Sequence, residues 1–291
     1  MEITKTNCLS KEEYQEVVSL LKICERHDSF DIGACLHLSM IQKGDDQHLD
    51  IILTREKKEL VGFLGLYSFV DPKKVELTGM IHPSYRNQGK FSRLLELAKQ
   101  ITRARDANEV LLVCPLKSDA AIHLASKMEA TYMYTEFTME YKGIYHKKYN
   151  CPVNMSINKA GLAESHVIMK LFSEGFDVAP EDENVKRLIE SNLTKLGYEL
   201  IFVQIDNNPI ATITISEEEE SMYLSAFTVT PSQRGNGYGR GILEMIIRDL
   251  MVRYPQKSIR LHVNVKNEGA IRLYEKTGFR IVDGFDYYLA K

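Results

Sequence analysis

No stretch of this chain is apolar for long enough to span a membrane. The best candidate, Leu60 to Val70, falls short of the roughly 18 to 20 residues required and is interrupted by Gly62 and Gly65. The chain also lacks a basic excess: 37 Lys and Arg against 40 Asp and Glu give a formal charge of −3, which argues against nucleic acid as a partner. Met1 to Lys5 has no basic stretch leading into an apolar segment, so no export signal is read there and a cytoplasmic protein is expected. Cysteine is sparse and odd in number. Cys8, Cys24, Cys35, Cys114 and Cys151 suit reduced thiols better than a disulfide framework. Cys24, His27, Cys35 and His37 are close in sequence but lack the paired spacing of a zinc knuckle, so no metal is expected.

What the chain does have is material for a core. Over 291 residues, 44% are apolar and 26% charged, enough for two domains at about 150 residues each. An internal repeat supports that division. Val75 to Pro83, an apolar strand, leads into Arg86, Gly89 and a helix bearing Leu94, Leu95, Ala98 and Ile101 on one face. Met222 to Pro231 leads likewise into Arg234, Gly235, Gly237 and Gly239, then a helix bearing Ile242, Leu243, Ile246, Ile247 and Leu250. Upstream of each loop, two β-rich runs read as a hairpin: Leu49 to Thr54 with Leu60 to Tyr67, and Leu200 to Ile205 with Ile210 to Ile215, the latter pair flanking the turn Asp206 to Pro209. Downstream come a strand (Val110 to Cys114; Ile259 to Val265), a short helix (Ala120 to Met128; Glu268 to Thr277) and terminal β-rich segments. Each half reads as a mixed α/β unit, divided by a linker near 145–152 into domains 1–147 and 153–291.

A glycine-rich turn between strand and helix presents backbone N–H groups at the positive end of the helix dipole, which suits a phosphate or pyrophosphate. A Walker loop is excluded because Arg240-Gly241 stands where Lys-Ser/Thr is needed. A Rossmann loop is excluded because this turn follows a hairpin-rich meander and not the first strand of a parallel series. Residues Arg234 to Gly239 resemble the acetyl-CoA loop of the GCN5-related N-acetyltransferase (GNAT) family, Arg/Gln-x-x-Gly-x-Gly/Ala. A second family signature is matched by Asn267, Ala270, Leu273-Tyr274 and Gly278-Phe279. The resemblance covers the second half and, more loosely, the first.

That resemblance implies two tandem domains, each a mostly antiparallel twisted sheet with splayed central strands flanked by helices. It implies an enzyme moving an acetyl group from acetyl-CoA to a primary amine by direct attack in a ternary complex. By the same resemblance, the backbone of Phe227, Thr228 and Val229 holds the pantetheine and polarises the acetyl carbonyl. The loop Arg234, Gly235, Asn236, Gly237, Tyr238, Gly239 and Arg240 wraps the pyrophosphate, with Arg240 adding charge, and Asn267 contacts the pantetheine arm or caps its helix, or both. Tyr274 matches the family's general acid toward the thiolate, the alternative being a ring packed on the sheet. His262 stands where many relatives carry a basic glutamate, and its ordinary pKa near 6.5 suits a base; the alternative is a surface-facing strand residue. The run Glu217 to Glu220 is either a solvated turn or an acidic lip attracting a cationic amine.

The first half departs from the pattern. Phe91 replaces the last loop glycine, and Ser118 and Ala125 stand where the second half has Asn267 and Tyr274. It therefore reads as a degenerate copy, with catalysis in the second half. Two alternatives remain: a non-catalytic coenzyme A-binding sensor or scaffold, and an acetyltransferase similar to mycothiol synthase, acting on a cysteinyl-sugar amine. No motif speaks for the acceptor, which is a small molecule or a peptide amine, or for an oligomer.

Overall fold

The computed structural model describes residues 2–43, 49–143 and 154–290. The first half runs β1 (Glu2–Thr6), α1 (Lys11–Asp28), α2 (Leu38–Lys43), β2 (Asp50–Glu56), β3 (Glu59–Tyr67), β4 (Lys74–Ile81), α3 (Lys90–Ala104), β5 (Glu109–Pro115), α4 (Asp119–Lys127) and β6 (Thr131–Tyr141). The second runs β7 (Met155–Lys159), α5 (Ser165–Phe176), α6 (Glu183–Thr194), β8 (Tyr198–Ile205), β9 (Asn208–Glu217), β10 (Ser221–Val229), α7 (Tyr238–Arg253), β11 (Ser258–Asn264), α8 (Glu268–Lys276) and β12 (Phe279–Leu289). No helix among the described residues is long and apolar enough to cross a membrane.

The elements form two compact units, Met1–Glu136 with Asp283–Lys291, and Phe137–Val282. These are not the halves 1–147 and 153–291. The last strand of each half changes hands: β6 passes into unit 2 after Glu136, and β12 passes into unit 1 after Val282. The expected linker, with Cys151, lies outside the described residues.

In unit 1 the strand order is β1-β2-β3-β4-β5-β12, antiparallel except for β4 and β5. Both faces are covered, which explains the unbroken apolar run in β3. α1 packs Tyr14, Val17, Leu21 and Cys24 onto Ile51, Leu53 and Phe63. α3 packs Leu94, Leu95 and Ala98 onto Ile52 and Leu64, the alternate residues of the same strands, and onto Leu77 of β4. Each fully buried Val, Leu, Ile or Phe among them contributes roughly 1.5–3 kcal/mol.

Unit 2 has the order β6-β11-β10-β9-β8-β7, with β10 and β11 the parallel pair. α7 packs Ile242, Ile246 and Leu250 onto Val203, Ile213, Leu224 and Leu261, while α5 and α6 cover Leu200 and Phe202 on the other face. The β8–β9 turn is tighter than the sequence suggests: Asp206 and Asn207 alone take positive φ, 50° and 64°. Pro209 already lies in β9, opposite Gln204 and beside a register shift, the kind of strand position at which proline is tolerated.

Candidate active site

The parallel ladder between β10 and β11 runs for only four rungs, from Ser221↔Ser258 to Leu224↔Leu261, and then the strands part. β10 continues to Val229 and β11 to Asn264 without each other, so backbone groups of Phe227, Thr228 and Val229 face a gap. A bulge reinforces the parting. Between Ser225↔Thr214 and Thr228↔Thr212, β10 carries one residue more than β9, and Ala226 sits at φ 49°. Side chains alternate about this segment. Phe227 and Val229 pack toward α7, and buried Thr228 meets α5, so closely that a Cβ on Gly175 would lie 2.3 Å from its Oγ1.

α7 begins directly opposite. Gly235 and Gly237 take φ of 80° and 81°, a conformation that costs an L-residue about 1–2 kcal/mol. A Cβ on Gly235 would meet nothing within 4 Å, so the outer side of the loop is open. The first N–H groups of this 16-residue helix have no intrahelical partners, as at any helix N-terminus. Gly239 serves a different end: its Cβ would lie 3.3 Å from Leu273 Cδ2 and 3.8 Å from Phe227 Cζ. It brings α7 close to β10 and α8. The arginines act on protein groups. Arg234 donates from Nε to the Val229 carbonyl (2.8 Å) and from Nη2 to the Gly175 carbonyl (3.2 Å), clipping the loop to β10 and α5. Arg240, expected to add charge to the loop, pairs instead with Glu244 one helical turn on (2.8 Å), since i and i+4 share a helix face.

α8 is capped by Asn267, whose Oδ1 accepts from Ala270 N at 3.1 Å. Tyr274 faces the core beside Phe279, 8% exposed, and burial pushes its phenol up to about 12. Among the described residues its hydroxyl has no hydrogen-bond partner. His262 is the first residue of β11 past the last rung. Leu261 and Val263 point into the α7 core, so His262 points to the opposite face, with the Tyr223 ring at 5.0 Å. His262 thus lies on the sheet face opposite to the α7 core in which Tyr274 is buried. Glu217 is paired with Lys257 (2.8 Å) and is not part of an open acidic lip.

Unit 1 repeats the frame without its details. β4 and β5 also part after four rungs, at Leu77↔Leu112, and Asn87 and Gly89 repeat the positive-φ pair at 60° and 72°. The β3–β4 register, however, is unbroken from Gly62↔Ile81 to Tyr67↔Glu76, so β4 has no bulge. Phe91 packs against the α3 core where unit 2 has Gly239, Ser118 caps α4, and Ala125 is fully buried where unit 2 has Tyr274. Glu76 occupies the rung of Tyr223, and burial together with the charge of Glu136 pushes its carboxyl up to about 7. Glu136 accepts from the Tyr287 hydroxyl at 3.1 Å, and Tyr287 stacks on Tyr134. Cys24 and Cys35 are buried thiols raised to about 11 and 12 by burial, His37 lies against Tyr67 and Phe69, and no three metal-ligating side chains gather among the described residues.

The bulge at Ala226, the Tyr223–His262 contact and the strand exchange carry no motif, and the sequence reading missed all three. The acetyltransferase (GNAT) family model matches the chain twice, at residues 16–129 and 166–279. The chain belongs to that family, whose members draw on acetyl-CoA, and carries its domain in tandem. Among solved structures it is similar to a tandem GNAT protein from the clavulanic acid biosynthesis pathway, with a TM-score of 0.77 and 14% identity, covering 99% of this chain and 98% of that one. A GCN5-related N-acetyltransferase from Sphaerobacter thermophilus gives 0.73 at 13% identity, covering 99% and 95%. A GNAT-family acetyltransferase from Colwellia psychrerythraea gives 0.63 at 12% identity, with both chains covered in full. At such identities the likeness speaks for the fold alone. A comparison with curated proteins returned no match.

Proposed function

We propose that this protein transfers an acetyl group from acetyl-CoA to a primary amine, by direct attack in a ternary complex, with the chemistry in the C-terminal half, 153–291. The N-terminal half, 1–147, is then a degenerate copy. One observation carries this reading: the bulged, parted strand, the open positive-φ glycine loop and Tyr274 occur together in unit 2, whereas unit 1 has an unbulged strand, Phe91 and Ala125.

The amides of Gly235 to Arg240 hold the diphosphate, and the free backbone of Phe227, Thr228 and Val229 receives the pantetheine and polarises the carbonyl. His262 takes the proton released as the amine nitrogen bonds to the acetyl carbon. Tyr274, kept protonated by its burial, gives its proton to the sulfur as the carbon–sulfur bond breaks. Asn267 orders α8 through its cap and faces the pantetheine arm. The buried Cys24, Cys35 and Cys114 do not serve as nucleophiles, since burial pushes their thiols up and keeps them protonated.

Calorimetric titration with acetyl-CoA, paired with a thiol-release assay over a panel of small amines and peptides, tests the proposal. Binding with amine-dependent release is expected. Binding with no release from any amine would leave the protein a coenzyme A sensor or scaffold and overturn the enzymatic reading.

A further inference from the structure

His262 occupies an unusual place. The last rung between β10 and β11 is Leu224↔Leu261, so on the β10 side no cross-strand partner follows it. Packing against the ring therefore bears directly on the plane of its imidazole. Tyr223 supplies that packing. Its neighbours Met222 and Leu224 enter the α7 core, which turns Tyr223 onto the face of His262. The two rings meet with centroids 5.0 Å apart and planes at 81°, the edge-to-face arrangement aromatic rings prefer. The Tyr223 hydroxyl and the His262 Nε2 are both screened from solvent.

The charges on this face are already matched. Arg260, one repeat before His262 on β11, is held by Glu140 of β6 through Nη2 (2.9 Å) and Nε (3.1 Å). The corresponding positions of unit 1 are Glu76 and Val113, so neither member of the aromatic pair is kept where the strand is unbulged.

We propose that Tyr223 is the positioning residue for His262, its ring fixing the imidazole plane at the point where the strands part. The proposal rests on the reading of His262 as the base in acetyl transfer. Misplacing a base by about 1 Å lowers a rate by as much as about 100-fold, so loss of the ring should lower kcat at least about tenfold and leave the KM for acetyl-CoA unchanged.

The test uses the full chain, the imidazole ¹H–¹⁵N spectrum of the free protein, and kcat with acetyl-CoA and the best amine of the panel. Tyr223→Phe keeps the ring and should hold both the His262 signals and kcat within about twofold. Tyr223→Leu should shift or average the His262 signals and lower kcat, and should lower it no further in a His262→Gln background. Tyr223→Met carries the same expectations should the leucine variant fail to fold. Unmoved His262 signals in the ring-less variants, an additive loss in the His262→Gln background, or full turnover by His262→Gln alone would each overturn the proposal. If the wild-type chain releases no thiol with any amine, the functional reading falls instead, and the spectra alone decide whether Tyr223 positions the imidazole.

Discussion

In the proposed reaction, burial suits Tyr274 to one direction of proton transfer. With its phenol pushed up to about 12, it stays protonated across the neutral range, so in that reaction it is available as the donor there and an alkaline fall in kcat well below that value is assigned to another group. Tyr274→Phe should lower kcat about 100-fold while the Kd for acetyl-CoA, measured by calorimetry, stays put. Unchanged kcat would remove it from the chemistry. Glu76 shows the opposite consequence in unit 1. Its folded pKa of about 7 exceeds the ordinary 4.5, so the folded state holds the proton more tightly and its stability falls as pH rises through that interval. Glu76→Gln should therefore leave stability nearly unchanged below pH 4.5 and raise it by up to about 3 kcal/mol at about pH 8, at about 1.4 kcal/mol per pH unit. Urea melts at both pH values check this, and a variant less stable than the wild type at pH 8 would contradict it.

At the scale of elements, the loop was legible because its conformation demands particular residues. Positive φ at 235 and 237 favours glycine, and the helix that follows declares itself by its apolar period. The bulge was not legible: it places an alanine, Ala226, at φ 49°, where residue type gives no warning. Gly239 reads in sequence as one more glycine of the phosphate-facing turn, yet its φ is ordinary and what it permits is the close approach of α7 to Leu273 and Phe227. The seating of α5 on β10 depends on another such glycine. Gly175→Ala would drive a methyl into Thr228 Oγ1 and Cβ, at 2.3 and 2.7 Å, and disturb the carbonyl that Arg234 holds. A loss of about 1–3 kcal/mol in unfolding free energy is expected, together with weaker acetyl-CoA binding. An unchanged melting temperature would mean that α5 is not seated there.

At the scale of the whole molecule, the repeat was readable but the exchange of last strands was not. A strand's alternation is the same whichever sheet it joins, so β6 and β12 give no sign in sequence of the unit they complete. The exchange makes each half incomplete by itself. Asp283, Phe285 and Tyr287 belong to unit 1, where Phe285↔Pro115 to Leu289↔Leu111 extend the sheet from β5. A chain ending at Val282 should lose hydrogen-exchange protection over β5 while α7 and β9 keep theirs, and protection retained over β5 would contradict the strand assignment.

The central claim is that acetyl transfer is seated at the open glycine loop of unit 2, not at its counterpart in unit 1. Gly237→Val and Gly89→Val each place a β-branched residue at a positive φ, 81° and 72°, and so damage one loop and spare the other. Amine-dependent thiol release from acetyl-CoA, measured on the two full-length variants side by side, should collapse with Gly237→Val and persist with Gly89→Val. Turnover that survives the first substitution and fails with the second would contradict the account.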